Sequence, residues 1–360
     1  MSKFRILSLD GGGIRGLFAA SFLAELERQI GRPIGQYFDL IVGTSTGGIV
    51  ATALALGESA ERVERLYEDN GRGIFTRQAR DPAVISHWLA RLLVRLFRGR
   101  ADRLLARFDL DVDYLLQSKY DSALLRSALN DAFGTKKLGD AVTRLVLPAV
   151  DLSAGRIVVM KTPHLPHASS RDRHYGAVDA VLSTTAAPTY FPHASITTGS
   201  SYCDGGLWAN NPTMVAYAEA MKIRECCKRI GIDASFEPDE IWVLSVGTGI
   251  TNYSLAPPRK NAGLAWWAPR LLNTTLLSQS QGTEALANYM IGSPRHHRVN
   301  FTLPDESWKL DCVDRLDTLK HIGYRTAHEQ LAFVREQFLY EPAVPYTPFG
   351  GEPALSTTTK

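Results

Sequence analysis

A mostly parallel α/β fold, with helices covering the sheet, is predicted by three features of the 360-residue sequence. Two strand–turn–helix units follow one another within residues 4–56. Further apolar runs of strand length lie at 145–150, 156–161, 241–246 and 298–303. Helical periodicity appears at 213–227 and 283–291. Near-continuous apolar strands connected through helices need both sheet faces covered, which is the parallel α/β arrangement.

Taken in order, residues 4–9 read as a short buried strand that runs into three glycines. After them Leu17, Phe18, Phe22, Leu23, Leu26 and Ile30 recur at helical spacing up to a stop at Gly31. A second strand over 38–42 passes through 43–48 into a helix over 49–56. Residues 72–137 lack strand patterning and are rich in Arg and Leu, with a helix start at Asp121-Ser122. They predict a helical cap inserted into one catalytic domain spanning 1–340. Residues 341–360 hold four prolines, two adjacent glycines and three consecutive threonines, and predict a flexible tail.

Hydrophobic residues at 45% and charged residues at 21% exclude a mainly disordered or fibrous chain. The formal charge of +3 excludes a uniformly basic, nucleic-acid-binding protein. That total is uneven. Between 72 and 107, nine arginines and no lysine face only Asp81 and Asp102, so this stretch carries +7 and the remainder −4. On a helix turning about 100° per residue, Trp88, Leu89, Leu92, Leu93, Leu96 and Phe97 occupy one half, and Arg91, Arg95 and Arg98 cluster on the other side. Trp88, Arg91, Leu92, Arg95, Leu96 and Arg98 are the membrane-facing candidates, since a basic amphipathic helix can lie in an anionic interface. The most apolar windows, 41–56 and 83–97, are shorter than the roughly 20 residues of a spanning helix. The first ten residues lack a signal peptide's apolar run. The four cysteines, two adjacent at Cys226 and Cys227, make no disulfide framework and no zinc spacing. Expected, then, are a cytoplasmic location, peripheral membrane contact, and no metal or cofactor.

Three motifs carry chemistry. Gly43-Thr44-Ser45-Thr46-Gly47 matches Gly-x-Ser-x-Gly between a strand and a helix, where a sharp turn lifts the serine hydroxyl out of the backbone. Gly43 and Gly47 are the small residues such an elbow requires. Asp10-Gly11-Gly12-Gly13-Ile14-Arg15-Gly16 opens the first helix and fits two readings. Gly11, Gly13 and Gly16 satisfy a dinucleotide-binding fingerprint, although Asp10 would set a negative charge beside the phosphates. Alternatively the glycine amides form an oxyanion hole and Arg15 attracts an anionic group. A serine nucleophile needs a base. Asp204, ahead of Gly205 and Gly206, is one candidate. A Ser/His/Asp hydrolase of small soluble esters would instead draw on His296, His297, His321 or His328.

The order Asp-Gly-Gly-Gly-Ile-Arg-Gly, Gly-Thr-Ser-Thr-Gly, Asp-Gly-Gly resembles the patatin-like phospholipases. The likeness extends through Thr184-Thr185-Ala186-Ala187-Pro188, Trp208-Ala209-Asn210-Asn211-Pro212 and Val246-Gly247-Thr248-Gly249, and so covers roughly 4–250. The resemblance implies a three-layer α/β/α patatin-like fold and a lipid acyl hydrolase of the phospholipase A type that cleaves membrane phospholipids through an acyl-enzyme. By it, Ser45 would be the nucleophile and Asp204 the other half of a Ser/Asp dyad. Gly11, Gly12, Gly13 and Arg15 would form the oxyanion-hole segment. Length and cap are similar to those of bacterial patatin-like effectors of antiviral defence, which implies a cyclic dinucleotide activator. A homo-oligomer is left open.

Overall fold

The computed structural model describes residues 3–77, 117–165, 172–196, 199–230, 236–251, 263–305 and 307–349. The elements in chain order are β1 (Phe4–Leu9), α1 (Gly16–Ile30), β2 (Leu40–Gly43), α2 (Thr46–Ala55), α3 (Ala60–Ile74) and α4 (Ala123–Phe133). There follow β3 (Arg144–Asp151), β4 (Arg156–Lys161), α5 (Ala177–Thr185), β5 (Ala194–Ser195), β6 (Ser201–Asp204), α6 (Gly206–Ala209) and α7 (Thr213–Arg229). The chain continues through β7 (Ile241–Val246), β8 (Ile250–Thr251), α8 (Leu264–Met290), β9 (His296–Val299), β10 (Thr302–Leu303) and α9 (Leu316–Gln337).

Eight strands form the main sheet in the order β5-β6-β3-β2-β1-β7-β9, with β4 also on β3. From β3 to β9 the pairings are parallel; β4 and β6 pair antiparallel with β3, and β5 pairs antiparallel with β6. The sheet is covered on both faces, as its apolar strands predict. Alternate side chains divide between two cores: Leu7, Leu9 and Ile41 pack on the side of α1 and α2, and Phe4, Ile6, Leu40 and Val42 pack with Ala216, Ala220 and Ile223 of α7. Period-2 alternation of fully apolar strands therefore yields three layers.

One pairing detail positions the site. β2 pairs with β3 only over Arg144 to Val146, and beyond that point the same edge of β3 is taken by β6, through Ala149 opposite Asp204. Because β6 is antiparallel, its last residue arrives beside the carboxyl end of β2, where the chain turns into α2.

The predicted strand over 298–303 is two strands. Asn300 interrupts it, its Oδ1 accepting from the Gly249 and Phe301 amides, and β10 then pairs with β8 in a separate two-stranded sheet. The helix predicted over 283–291 is the end of the 27-residue α8. The predicted stop at Gly31 holds: its φ of 70° caps α1, and its amide donates to the Glu27 carbonyl.

Most of the expected cap, residues 78–116 with Trp88, Arg91, Leu92, Arg95, Leu96 and Arg98, lies outside the described residues. Its flanks meet where Arg77 bridges to Tyr120. The tail expected from 341 differs over its first part. Up to Phe349 it is held on the body, because extended proline-rich backbone finds partners there. The Ala343 amide donates to Gln36 and the Phe349 amide to Pro163, Arg5 donates to the Glu341 carbonyl, and Tyr346 is buried. No described helix is long and apolar enough to cross a membrane.

Candidate active site

Ser45 occupies the turn between β2 and α2 with φ 54° and ψ −126°, a region side chains other than glycine's rarely adopt. The turn is held by its neighbours. The Ser45 amide donates to Thr184 Oγ1 at 3.1 Å, and Thr184 in turn donates to the Pro148 carbonyl at 2.6 Å. The Thr44 hydroxyl donates to the Ala209 carbonyl. A Cβ at Gly47 would run into the Leu9 carbonyl oxygen and one at Gly43 into that of Gly47, so both elbow glycines are required by close backbone approach.

Asp204 reaches the same point from the end of β6. Its carboxylate accepts the Gly206 amide at 2.6 Å. Burial raises its pKa from 3.8 to about 6, and the neighbouring Ser45 side chain and the Gly206 amide oppose the rise. A Cβ at Gly205 would collide with the Pro148 carbonyl, so Gly205 lets the turn after the acid close against β3, and Gly206 supplies its amide.

The two side chains sit in a cleft open to solvent. Gly12, Gly13 and Thr46 line it beside Ser45, and its walls are apolar: Ile49, Tyr67, Phe75, Leu125, Phe191, Leu272, Leu276 and Leu310 among them. The flanks of the cap segment stand at its rim, where Phe75 meets Tyr120 edge-on and Phe191 packs on both.

The glycine loop departs from the expectation at two of four positions. The Gly11 amide is taken by the Asn210 carbonyl at 3.0 Å, so Gly11 has no donor to offer an oxyanion. Its missing side chain instead admits Asn210 and Ser45 close to the backbone. Arg15 turns its Nε toward the Gly12 carbonyl and does not line the cleft. Gly12 and Gly13 do line it. The Gly12 amide donates to the Thr46 hydroxyl at 3.2 Å, a partner it must exchange to serve an oxyanion. Gly13 adopts φ 58° with the Leu310 carbonyl against its Cα, a position no larger residue fits.

Asp10 explains itself as structure. Buried, it accepts from both Nη atoms of Arg298 at 2.9 and 2.6 Å and from the Ser280 hydroxyl at 3.1 Å. Burial raises its pKa, against these bonds. Arg298 also donates to Ser245, so β7, β9 and α8 are tied to the start of the glycine loop. Nothing in the local sequence of Arg298 or Ser280 signals this, because the partners are far apart in the chain. Thr184 and Asn210 were within the motif segments, but their contacts with Ser45 and Gly11 depend on tertiary geometry.

The four histidines of the competing hydrolase reading lie elsewhere. His296 bonds Asn288 and His297 bonds Gln330; burial lowers the His296 pKa to about 4. His321 and His328 are on α9, where His328 faces Glu25. Among the described residues no histidine lines the cleft.

A family model described as patatin-like phospholipase matches residues 7–217, more than half of the chain. The chain belongs to the patatin-like phospholipase family. Among patatin-like relatives it is 36% identical over 264 residues to a cGAMP-activated phospholipase of Escherichia coli (strain TW11681), covering 71% of this chain and 65% of that protein. It is 30% identical over 334 residues to a cGAMP-activated phospholipase of Pseudomonas aeruginosa, covering 91% and 89%. A cUMP-AMP-activated phospholipase of Escherichia coli is 26% identical over 342 residues, covering 92% and 93%.

Proposed function

We propose that the protein hydrolyses fatty acyl esters of membrane phospholipids with Ser45 as nucleophile and Asp204 as base, and that a cyclic dinucleotide activates it. The observation that carries the reading is that the elbow serine Ser45 and Asp204 line one cleft, Asp204 buried there with its pKa raised to about 6. A carboxylate at its ordinary pKa is a weak base for a hydroxyl, and burial brings it closer to the operating pH.

In the first half-reaction Asp204 takes the Ser45 proton as the hydroxyl oxygen attacks the ester carbonyl. The tetrahedral oxyanion is held by the Gly13 amide and by the Gly12 amide, which exchanges the Thr46 hydroxyl for it; each such donor contributes about 2.7 to 4 kcal/mol to the transition state. Collapse breaks the ester bond, and the departing lysolipid alkoxide takes the proton from Asp204. Water then gives a proton to Asp204 and attacks the acyl-serine. The fatty acid leaves as the proton returns to Ser45. The apolar walls of the cleft suit an acyl chain. Activation by a cyclic dinucleotide rests on the relatives described as cGAMP- and cUMP-AMP-activated. A lipase that acts on the host's own bilayer from the cytoplasm fits an enzyme that is silent until signalled.

The test is fatty-acid release from phospholipid vesicles with and without cGAMP or cUMP-AMP. Release by the parent, stimulated by one nucleotide and lost in both Ser45→Ala and Asp204→Asn, is expected. Retained release in either folded variant rejects the Ser45/Asp204 assignment, and nucleotide-independent release rejects the activator.

A further inference from the structure

An ordinary amphipathic helix puts its apolar stripe on the core and polar side chains in water. The first half of α8 does not. Leu272 and Leu276 line the cleft. At about 100° per residue Trp267 and Leu271 fall on the side away from them, and they are 40% and 58% exposed. Trp266 stands edge-on to Trp267 with ring centroids 4.8 Å apart. Arg270 lays its guanidinium over the Trp266 ring at 4.8 Å and donates to the Trp266 carbonyl. From 264 to 283 Arg270 is the only charged residue in the sequence. This segment is therefore apolar toward the cleft and apolar toward solvent.

We propose that the outer face of α8, centred on Trp266, Trp267, Arg270 and Leu271, is the surface on which the protein sits on a phospholipid bilayer. This rests on the reading that membrane phospholipid is the substrate. The helix lies in the interface rather than spanning it. The tryptophans occupy the level where an amphipathic ring is at home, and Arg270 meets the phosphate layer. Continuity with the cleft selects a bilayer over a protein partner. The helix whose outer face meets the lipid also forms, through Leu272 and Leu276, the wall along which an acyl chain enters. A protein seated there would close that route.

The test is flotation of the Ser45→Ala chain, which leaves vesicles intact, with phosphatidylethanolamine/phosphatidylglycerol vesicles, with and without cGAMP. It is compared with the same chain carrying Trp267→Asp and Leu271→Asp. Binding weaker by roughly tenfold or more in the double variant is expected, with thermal melting unchanged. In the Ser45-containing chain the same pair leaves turnover of a short-chain soluble ester unaltered. Leu271→Gln alone, a milder change, gives a smaller loss in the same direction and serves if the double variant does not fold. Flotation equal to the parent's, or no flotation of the parent in either condition, overturns the proposal. So does a fall from oligomer to monomer in sedimentation with unchanged flotation, which assigns the face to a second copy. Failure of the parent to cleave any acyl ester rejects the hydrolase reading instead, and flotation distinguishes the two.

Discussion

Ser45 is held at φ 54°, ψ −126° by hydrogen bonds on both sides of the turn, and a strained non-glycine residue costs about 1 to 3 kcal/mol. Ser45→Gly is expected to abolish ester cleavage yet raise the unfolding free energy by about 1 kcal/mol in denaturant titration. Asp204 carries a second cost. With its pKa raised by burial from 3.8 to about 6, the folded protein binds this proton more tightly than the unfolded chain. The cost is thus absent below the unfolded value, grows as pH rises from about 4 to 6, and is complete above, where it amounts to about 3 kcal/mol. Asp204→Asn keeps an acceptor for the Gly206 amide and removes the charge. It is expected to melt higher than the parent at pH 8 and to lose that advantage near pH 4; an unchanged difference across this range would show that Asp204 does not titrate there. Ser45 was legible in the sequence from its motif between strand and helix, and Asp204, one candidate base among several, through the resemblance that joins its Asp-Gly-Gly to that motif. The contact between them was not, because it arises from β6 taking over the edge of β3 where β2 ends.

At the scale of elements, the glycine loop depends on groups the motif does not contain. Arg298 on β9 and Ser280 on α8 hold Asp10 from the far side of the sheet. Arg298→Met leaves a buried carboxylate unpaired and is expected to cost about 3 to 5 kcal/mol of stability. Arg298→Met combined with Asp10→Asn recovers most of that loss in the same denaturant titration. Equal losses in the single and double variants would mean that Arg298 matters through packing rather than charge. The same loop shows why a motif can be found and still be misassigned in detail. Backbone amides are indistinguishable in sequence, and only the fold shows that Asn210 takes the Gly11 amide and that Gly13 lies against Leu310. Strand limits followed from apolar runs at β1 and β7, where 4–9 and 241–246 coincide with the strands, and not at β9, which starts at His296 and ends at Val299. The first half of α8 escaped because its apolar residues face both the cleft and solvent, which erases the helical period.

For the whole molecule, compositional bias predicted a tail from 341, yet backbone pairing and the burial of Tyr346 fix the chain as far as Phe349. Truncation after Tyr340 removes the Glu341 acceptor of the buried Arg5 and uncovers Arg144, over which the Tyr346 ring lies at 5.2 Å. A loss of at least about 2 kcal/mol is expected in thermal or chemical unfolding; stability within error of the parent would mean the segment only rests on the surface. Sequence balance also concealed how charge is distributed, since a total of +3 contains a stretch of +7. The central claim, a serine activated by a buried aspartate with no histidine between them, is tested most directly by the rate at which a fluorophosphonate labels Ser45 as a function of pH, followed by peptide mass spectrometry. The account predicts labelling that rises through an inflection near pH 6, is lost in Asp204→Asn, and survives alanine at His296, His297, His321 and His328. Labelling that persists in Asp204→Asn but disappears with one of those histidines would contradict it.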